Sequence, residues 1–475
     1  MAGPDTAVRG LAAFATRASF EAIPEDALEQ LKIRVLDAIG CAIGAVEGDP
    51  VRRVRRHVEA LGGEGRSTLL GGGRTAPDRA ALYDAFLVRY LDYNDSYLAP
   101  GETCHPSDNL GAVLAAAEDA GASGRDLLAA LGVAYQVQCR LSDEAPVRAE
   151  GFDHVVQLAY GAAAGVARAL GLEEAAAANG IAIAGTAQNA LRVTRTGTLS
   201  HWKGLAAPWA AAKACEAVYL AREGITGPPR VFEGNKGFED SIAGDFEIDW
   251  EAEGLDRVRR TIVKRYNAEI HSQSTLEGAL ELGDEHGIDP GAVDRVEIDT
   301  FDVAYHIIGG GEEGEKKTIR TKEEADHSLP YMVAVALLDG TVTPAQYAPE
   351  RIESDDVQSL LRRVEVEPDE DLSGRFPDEM PVRVRIVLED GTEHEIEKRD
   401  YEGFHTRPMR WGTIAEKFDR LVRDRIDGGL RDEIVDAVRT LEERSAVELA
   451  GLLGRVPVPS DRPGDSPAGW SSKTR

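Results

Sequence analysis

From the start of the chain to about residue 260, apolar positions either recur with helical spacing or fill whole helical lengths, separated by glycine and proline turns. Segments 31–45 (LKIRVLDAIGCAIGA), 126–141 (DLLAALGVAYQVQCRL) and 155–172 (VVQLAYGAAAGVARALGL) carry so few polar positions that they are predicted as helices buried on most faces. Their many small residues permit close helix approach. Ser123-Gly124 marks a helix start, and Gly224 marks a helix end. Near residue 290 the period becomes twofold. Residues 293–301, 362–367 and 381–399 alternate apolar and polar side chains, and Asp390-Gly391 is a strong hairpin turn. Helical stretches at 321–338 and 354–361 lie between these strands, which predicts a small α+β unit with one sheet face covered by helices. After about residue 410 the pattern is helical again, in WGTIAEKFDRLVRDRI, LRDEIVDAVRTL and SAVELAGLL.

The fold class expected is mainly α with an α+β domain. Residues 1–262 form the first part of a helical domain, 263–401 the α+β domain, 402–453 a C-terminal return to the helical domain, and 454–475 a disordered, Pro-, Gly- and Ser-rich tail. A chain of 475 residues exceeds what one hydrophobic core usually serves, which agrees with two domains. The glycine runs at 61–73 and 307–317 lack the strand, glycine spacing and helix start of a phosphate loop and are read as turns.

Charge narrows the function. The chain holds 54 basic and 83 acidic residues, a net −29, with arginine far commoner than lysine. Such a field repels nucleic acid and anionic membrane surfaces, so neither is expected as a partner. Acidic excess with scarce lysine predicts adaptation to high salt, where self-repulsion is screened. No stretch approaches the roughly 20 apolar residues of a bilayer span, and the start MAGPDTAVRG lacks a secretory pattern. The expected location is the cytoplasm. Cys41, Cys104, Cys139 and Cys215 are widely spaced, which argues against disulfides, structural zinc and an iron-sulfur cluster and leaves four reduced thiols.

Histidine is sparse, ten in the whole chain. His105, His154, His201, His271 and His327 lie at the edges of predicted helices beside small, polar or prolyl residues, whereas His57, His286 and His394 sit among surface charges. In YLDYNDSYLAPGETCHPSDNLGAVLAAAEDAG, at 90–121, Asp92, Asn94, Asp95 and Ser96 close one helix and His105-Pro106-Ser107 leads into the next. Two readings stand: a polar loop whose following helix is capped by Ser107 or Asp108, or an acid/base cluster in which Asp92 orients His105.

This stretch resembles the MmgE/PrpD family pattern of an Asp-rich turn, a short loop, and His-Pro-Ser entering an Ala-rich helix. Four further stretches follow in the family's order: GFDHVVQLAYGAAAG at 151–165, RTGTLSHWKGLAAPWAA at 195–211, VKRYNAEIHSQSTLEGAL at 263–280 and TKEEADHSLPYMVAVALLDG at 321–340. The similarity spans about residues 7–425. KRYNAEIHSQS and EADHSLPYMVA resemble the family's 2-methylcitrate dehydratase branch more than its decarboxylase branch.

The resemblance implies an all-helical body built from both chain ends, a smaller α+β lid, a cleft between them, and a homodimer. It implies a hydro-lyase acting on a small tricarboxylate such as 2-methylcitrate or citrate, with no cofactor and no metal. Carried over, the catalytic residues would be Asp92, His105, His154, Lys203 and Tyr331. Ser96, Lys264, Glu269, His271 and His327 would contact substrate. Glu269 stands where the related cis-aconitate decarboxylases have histidine, which favours dehydration. Lys203 and Lys264 suit carboxylate binding by charge-assisted hydrogen bonds; His105 and His154 suit acid/base work because an unperturbed histidine titrates near working pH. Tyr331 is either a donor to the leaving oxygen or an aromatic packed in a helix after Pro330, and His271 and His327 either line the cleft or cap helices. Arg192 and Arg195 either add carboxylate contacts or sit on a solvated turn, the turn being the favoured reading, and His201 points elsewhere. A decarboxylase or epimerase of the same family, and a non-catalytic carboxylate-binding helical protein, are the alternatives.

Overall fold

The computed structural model describes residues 6–197 and 199–459. Helix dominates, as expected, and a single four-stranded sheet forms the main β element of the described residues.

Two apolar clusters organise the chain. The larger joins residues 8–263 to residues 409–456, so both ends of the chain share one core. At its centre, helix Val155–Ala169 buries every residue except Arg168, and helix Gly124–Glu144 packs against it. The contact is close because Gly161 and Gly165 face the neighbour: a Cβ on Gly161 would lie 2.9 Å from the Ala134 carbonyl oxygen, and one on Gly165 2.9 Å from Ala134 Cβ. The returning helix Trp411–Val422 lies on helix Glu25–Gly44, where Lys417 Nζ reaches the buried Asp37 carboxylate at 2.6 Å and donates to the Tyr93 carbonyl at 2.8 Å. The core runs past the expected start of the tail, since Val456 is buried and Val458 packs on it; the rest of the predicted disordered tail, 460–475, lies outside the described residues.

The second cluster spans residues 268–386. Its sheet runs Val364–Pro368, Val293–Thr300, Val382–Leu388, Glu393–Lys398, with the first pair parallel and the others antiparallel. The register pairs Val296 with Ile386 and Ile298 with Val384, all four buried, under helices Gln273–His286 and Leu329–Asp339. On the other face, Arg383 pairs with Asp299 and Glu397, and Arg385 with Glu297 and Glu395, which completes the alternation. Gly391, with φ of 85°, makes the turn between the last two strands.

Candidate active site

The site begins where helix Pro77–Tyr90 ends. Arg89 lies in its last turn yet is buried, and the chain then reverses through Asp92 at φ of 54°. This left-handed conformation costs a non-glycine residue on the order of 1–3 kcal/mol, and Asp is among the residues that tolerate it best. Its surroundings pin it. Asp92 Oδ1 accepts from Arg89 Nη1 and Lys264 Nζ, each at 2.7 Å, and Lys264 also donates to the Asp92 carbonyl at 2.6 Å. Burial alone would raise the Asp92 carboxyl; Arg89, Lys264 and Lys203 outweigh it and hold it well below the usual carboxylate range.

A short hairpin, Tyr97–Ala99 with Glu102–Cys104, carries the chain to His105. The helix beyond is not capped by Ser107 or Asp108; instead the Ser107 N–H donates to Asp95 Oδ1 at 2.9 Å. His105 Nδ1 lies 2.8 Å from the Asp95 carbonyl oxygen, an acceptor only, so the ring proton sits on Nδ1; Ser96 Oγ is 3.0 Å from the same atom. The bare Nε2 faces Arg89 Nη2 at 3.2 Å. His154 repeats the arrangement, with Nδ1 3.3 Å from Asp153 Oδ1 and Nε2 3.5 Å from Arg195 Nη2. Both imidazoles are held neutral. Burial, then Arg89 and His154, push His105 well below its ordinary value. Burial takes His154 down to about 3, with Arg195 and Arg89 overriding the pull of Asp153.

Lys203 closes the opposite side. Its Nζ lies 3.1 Å from Asp326 Oδ1, 2.9 Å from His327 Nδ1 and 3.5 Å from Asp92 Oδ2. Burial depresses the ammonium despite these carboxylates. Among the described residues, Asp92, Asp326 and His327 are the one group with metal-ligand spacing, and the Lys203 ammonium sits among all three. Glu269 Oε1 pairs with His271 Nδ1 at 2.8 Å, and although burial opposes it, His271 holds the carboxyl down at about 2.

These groups line one cavity, to which Arg148, Arg192 and Arg195 add their guanidinium groups. Six cations face Asp92, Glu102, Glu269 and Glu313, so the wall is positive in a chain of net −29. The enclosed space is about 60 Å³, well below the roughly 300 Å³ at which ligand pockets begin. A citrate-sized acid therefore enters only if the rim parts. Glu313 bridges that rim, 2.8 Å from Arg192 and 3.6 Å from Arg148.

Nine of the ten residues expected from sequence meet here: Asp92, His105, His154, Lys203, Lys264, Glu269, His271 and His327 in the wall, and Ser96 behind His105. Tyr331 does not. Its hydroxyl donates to the Gln346 carbonyl inside the α+β core, so it has no proton to offer the cavity. Arg192 and Arg195 are a second correction, because their side chains turn inward, Arg195 Nε to Asp153 at 2.8 Å. Arg89 and Asp326 were missed. The sequence signal for Arg89 was a lone charge inside the apolar run FLVRYL, three residues before Asp92.

A buried cleft with excess cations and two neutral imidazoles can hold a small polyanion and move protons on it. The chain belongs to the MmgE/PrpD family: the MmgE/PrpD N-terminal domain matches residues 9–251 and the MmgE/PrpD C-terminal domain residues 266–443. It is similar to the mitochondrial 2-methylcitrate dehydratase of Yarrowia lipolytica, 28% identical over 444 residues, covering 86% of this chain and 83% of that one. The 2-methylcitrate dehydratase of Escherichia coli (strain K12) is 28% identical, over 81% and 83% of the two chains. An alkylcitrate dehydratase of a fungal species (strain ATCC 74256) is 28% identical over 86% of each.

Proposed function

We propose that this chain is a hydro-lyase that removes water from 2-methylcitrate, or a close alkylcitrate, without a metal. The observation that carries the reading is the pair of bare imidazole Nε2 atoms set among Arg89, Arg195, Lys203 and Lys264 in one buried cavity. The relatives named 2-methylcitrate and alkylcitrate dehydratase support it.

In this mechanism the arginines and Lys264 hold the substrate carboxylates. His154, backed by Asp153, takes the proton from the carbon next to a carboxylate. The electron pair released forms the carbon–carbon double bond and breaks the neighbouring carbon–oxygen bond. The hydroxyl leaves as water with a proton from Lys203, whose depressed ammonium is the more acidic for being buried. The products are the unsaturated tricarboxylate and one water. The position of Lys203 among Asp92, Asp326 and His327 supports metal independence, because a side-chain cation already fills that place. Ile270 and Ile307 are the apolar part of the wall and suit the alkyl substituent.

The α+β part serves as a lid, and the protein works as a homodimer in the cytoplasm. Four buried, unpaired cysteines support a reducing compartment, and no described helix is long and apolar enough to cross a membrane. The test offers chelator-treated protein 2-methylcitrate, citrate and cis-aconitate while unsaturated acid and carbon dioxide are followed. Unsaturated acid without carbon dioxide is expected. Carbon dioxide would instead indicate a decarboxylase, and binding without turnover a carboxylate-binding protein.

A further inference from the structure

Arg148 and Arg192 converge on one carboxylate. Glu313 Oε1 lies 2.8 Å from Arg192 Nη2 and 3.6 Å from Arg148 Nη2, and the Glu313 side chain is only 8% exposed. Burial, then the neighbouring Arg192, push the Arg148 guanidinium below its ordinary value, so the two cations need an anion between them. Among the described residues no other carboxylate lies within ion-pair distance of either. The remaining counterions of the cavity are fixed from several sides: Asp92 by Arg89 and Lys264, Asp326 by Lys203 and Lys322, and Asp153 by Arg195 and the Val155 N–H.

Glu313 differs in what carries it. It reaches from the α+β part to two arginines of the helical body, on a segment, 309–314, that holds four glycines in six residues. Gly310 and Gly314 have φ of 116° and 97°. A Cβ at either would meet nothing within 4 Å, so glycine there serves backbone freedom rather than space. Both ends of the segment are tied down, Ile308 in the α+β core and the Lys316 carbonyl by the Ser328 hydroxyl. The cavity it seals encloses about 60 Å³, too little for a citrate-sized acid.

We propose that Glu313 is a built-in competitor for the substrate: in the free protein its carboxylate takes the place on Arg148 and Arg192 that one carboxylate of the incoming acid takes over, and segment 309–314 swings out and back around that exchange. The exchange opens the cavity without leaving two buried guanidiniums unpaired, which is the costly alternative. The ligand class that fits is a small polyanion with a carboxylate beyond those that Arg89, Arg195 and Lys264 hold. On the return stroke Glu313 displaces the product. Glu313 is a positioning residue, away from the reacting atoms, and the inference rests on the proposed tricarboxylate substrate.

The test titrates citrate by calorimetry in high salt, which screens long-range charge. It compares full-length wild type, Glu313→Gln, Glu313→Asp and a control, Glu312→Gln, which removes the same charge from the exposed neighbour. A second measurement needs no substrate: each protein meets diethyl pyrocarbonate, an uncharged reagent, and carbethoxylation of His105 and His154 is timed by peptide mass. Glu313→Gln is expected to bind citrate about tenfold more tightly, the factor by which a site open one part in ten weakens binding. Its two histidines should be modified faster by a similar factor. Glu312→Gln should match wild type in both measurements. Glu313→Asp keeps the charge but stops one methylene short of the arginines; it should fall between, and it carries the test if Glu313→Gln does not fold. A residue that merely supports the rim would lose affinity when changed, so citrate binding that is unchanged or weaker in Glu313→Gln overturns the exchange. Equal tightening in Glu312→Gln overturns it as well, because bulk charge would then suffice. Carbethoxylation at the wild-type rate overturns the closure. If no preparation binds citrate, the tricarboxylate reading fails, while the carbethoxylation rates still decide whether Glu313 closes the rim.

Discussion

His105 and His154 meet edge to face, ring centroids 5.3 Å apart and planes at 71°. Each turns its Nδ1 toward an oxygen behind it and its Nε2 toward an arginine, Arg89 for His105 and Arg195 for His154. The pair is thereby set as two bases in a cationic cavity. A bound trianion reverses the electrostatics, because its charges offset those of Arg89 and Arg195.

His154→Gln and His105→Gln should each lower kcat by roughly 10²–10⁴ with unchanged helical circular dichroism. Asp153→Asn keeps the shape but removes the carboxylate that orients His154, and kcat should fall by about 10². Full activity in His154→Gln would move the base elsewhere.

Substrate binding should take up protons. With both rings pushed below their ordinary value in the free protein, a trianion that raises them draws protons from solution, more so as pH falls from about 8 toward 6. Calorimetry of citrate binding in buffers of different ionisation enthalpy reads this directly; zero uptake at every pH would contradict it.

Removing Lys203 takes one cation from two buried carboxylates, leaving Asp92 with Arg89 and Lys264 and Asp326 with Lys322. Lys203→Met is therefore expected to cost about 1–3 kcal/mol in urea unfolding and to abolish turnover. Loss of turnover with stability intact would mean the ammonium is not the counterion the distances describe.

Ile307 sets substrate preference. Ile307→Ala should reduce the ratio of kcat/KM for 2-methylcitrate over citrate by about tenfold, the value of a methyl group in an apolar contact. An unchanged ratio would place the alkyl group against another wall.

Glu102 governs alkaline stability. Burial raises its carboxyl to about 7 from an ordinary 4.5. The folded state binds the proton more tightly, so this contribution is full below about pH 4.5 and disappears as pH rises through 7. Glu102→Gln keeps one acceptor for the two N–H groups, of Thr103 and Val147, that the carboxylate oxygens now serve separately. Its stability relative to wild type should rise between pH 5 and pH 8 by on the order of 1–3 kcal/mol, read from urea midpoints.

Local pattern made much of this architecture legible. Ser123 does accept from the Asp126 N–H at a helix start, and Asp390-Gly391 does turn the hairpin, because such signals act within four residues. The wall residues lay in family motifs, yet Arg192 and Arg195 read as a solvated turn because the partners that bury them, Glu313 and Asp153, are 121 and 42 residues away. Tyr331 misled for the opposite reason. Its neighbours in helix Leu329–Asp339 are apolar on nearly every side, so the sequence could not say which way the hydroxyl points.

The Lys417 contact carries a consequence for biosynthesis. Asp37 is made early, but the ammonium that meets it in the folded body, and that grips the turn next to Asp92, emerges only after the whole α+β part has left the ribosome. Until then the flank that helix Trp411–Val422 covers stays open to water, which hydrates Asp37, so the helical body is completed only when both ends of the chain are present.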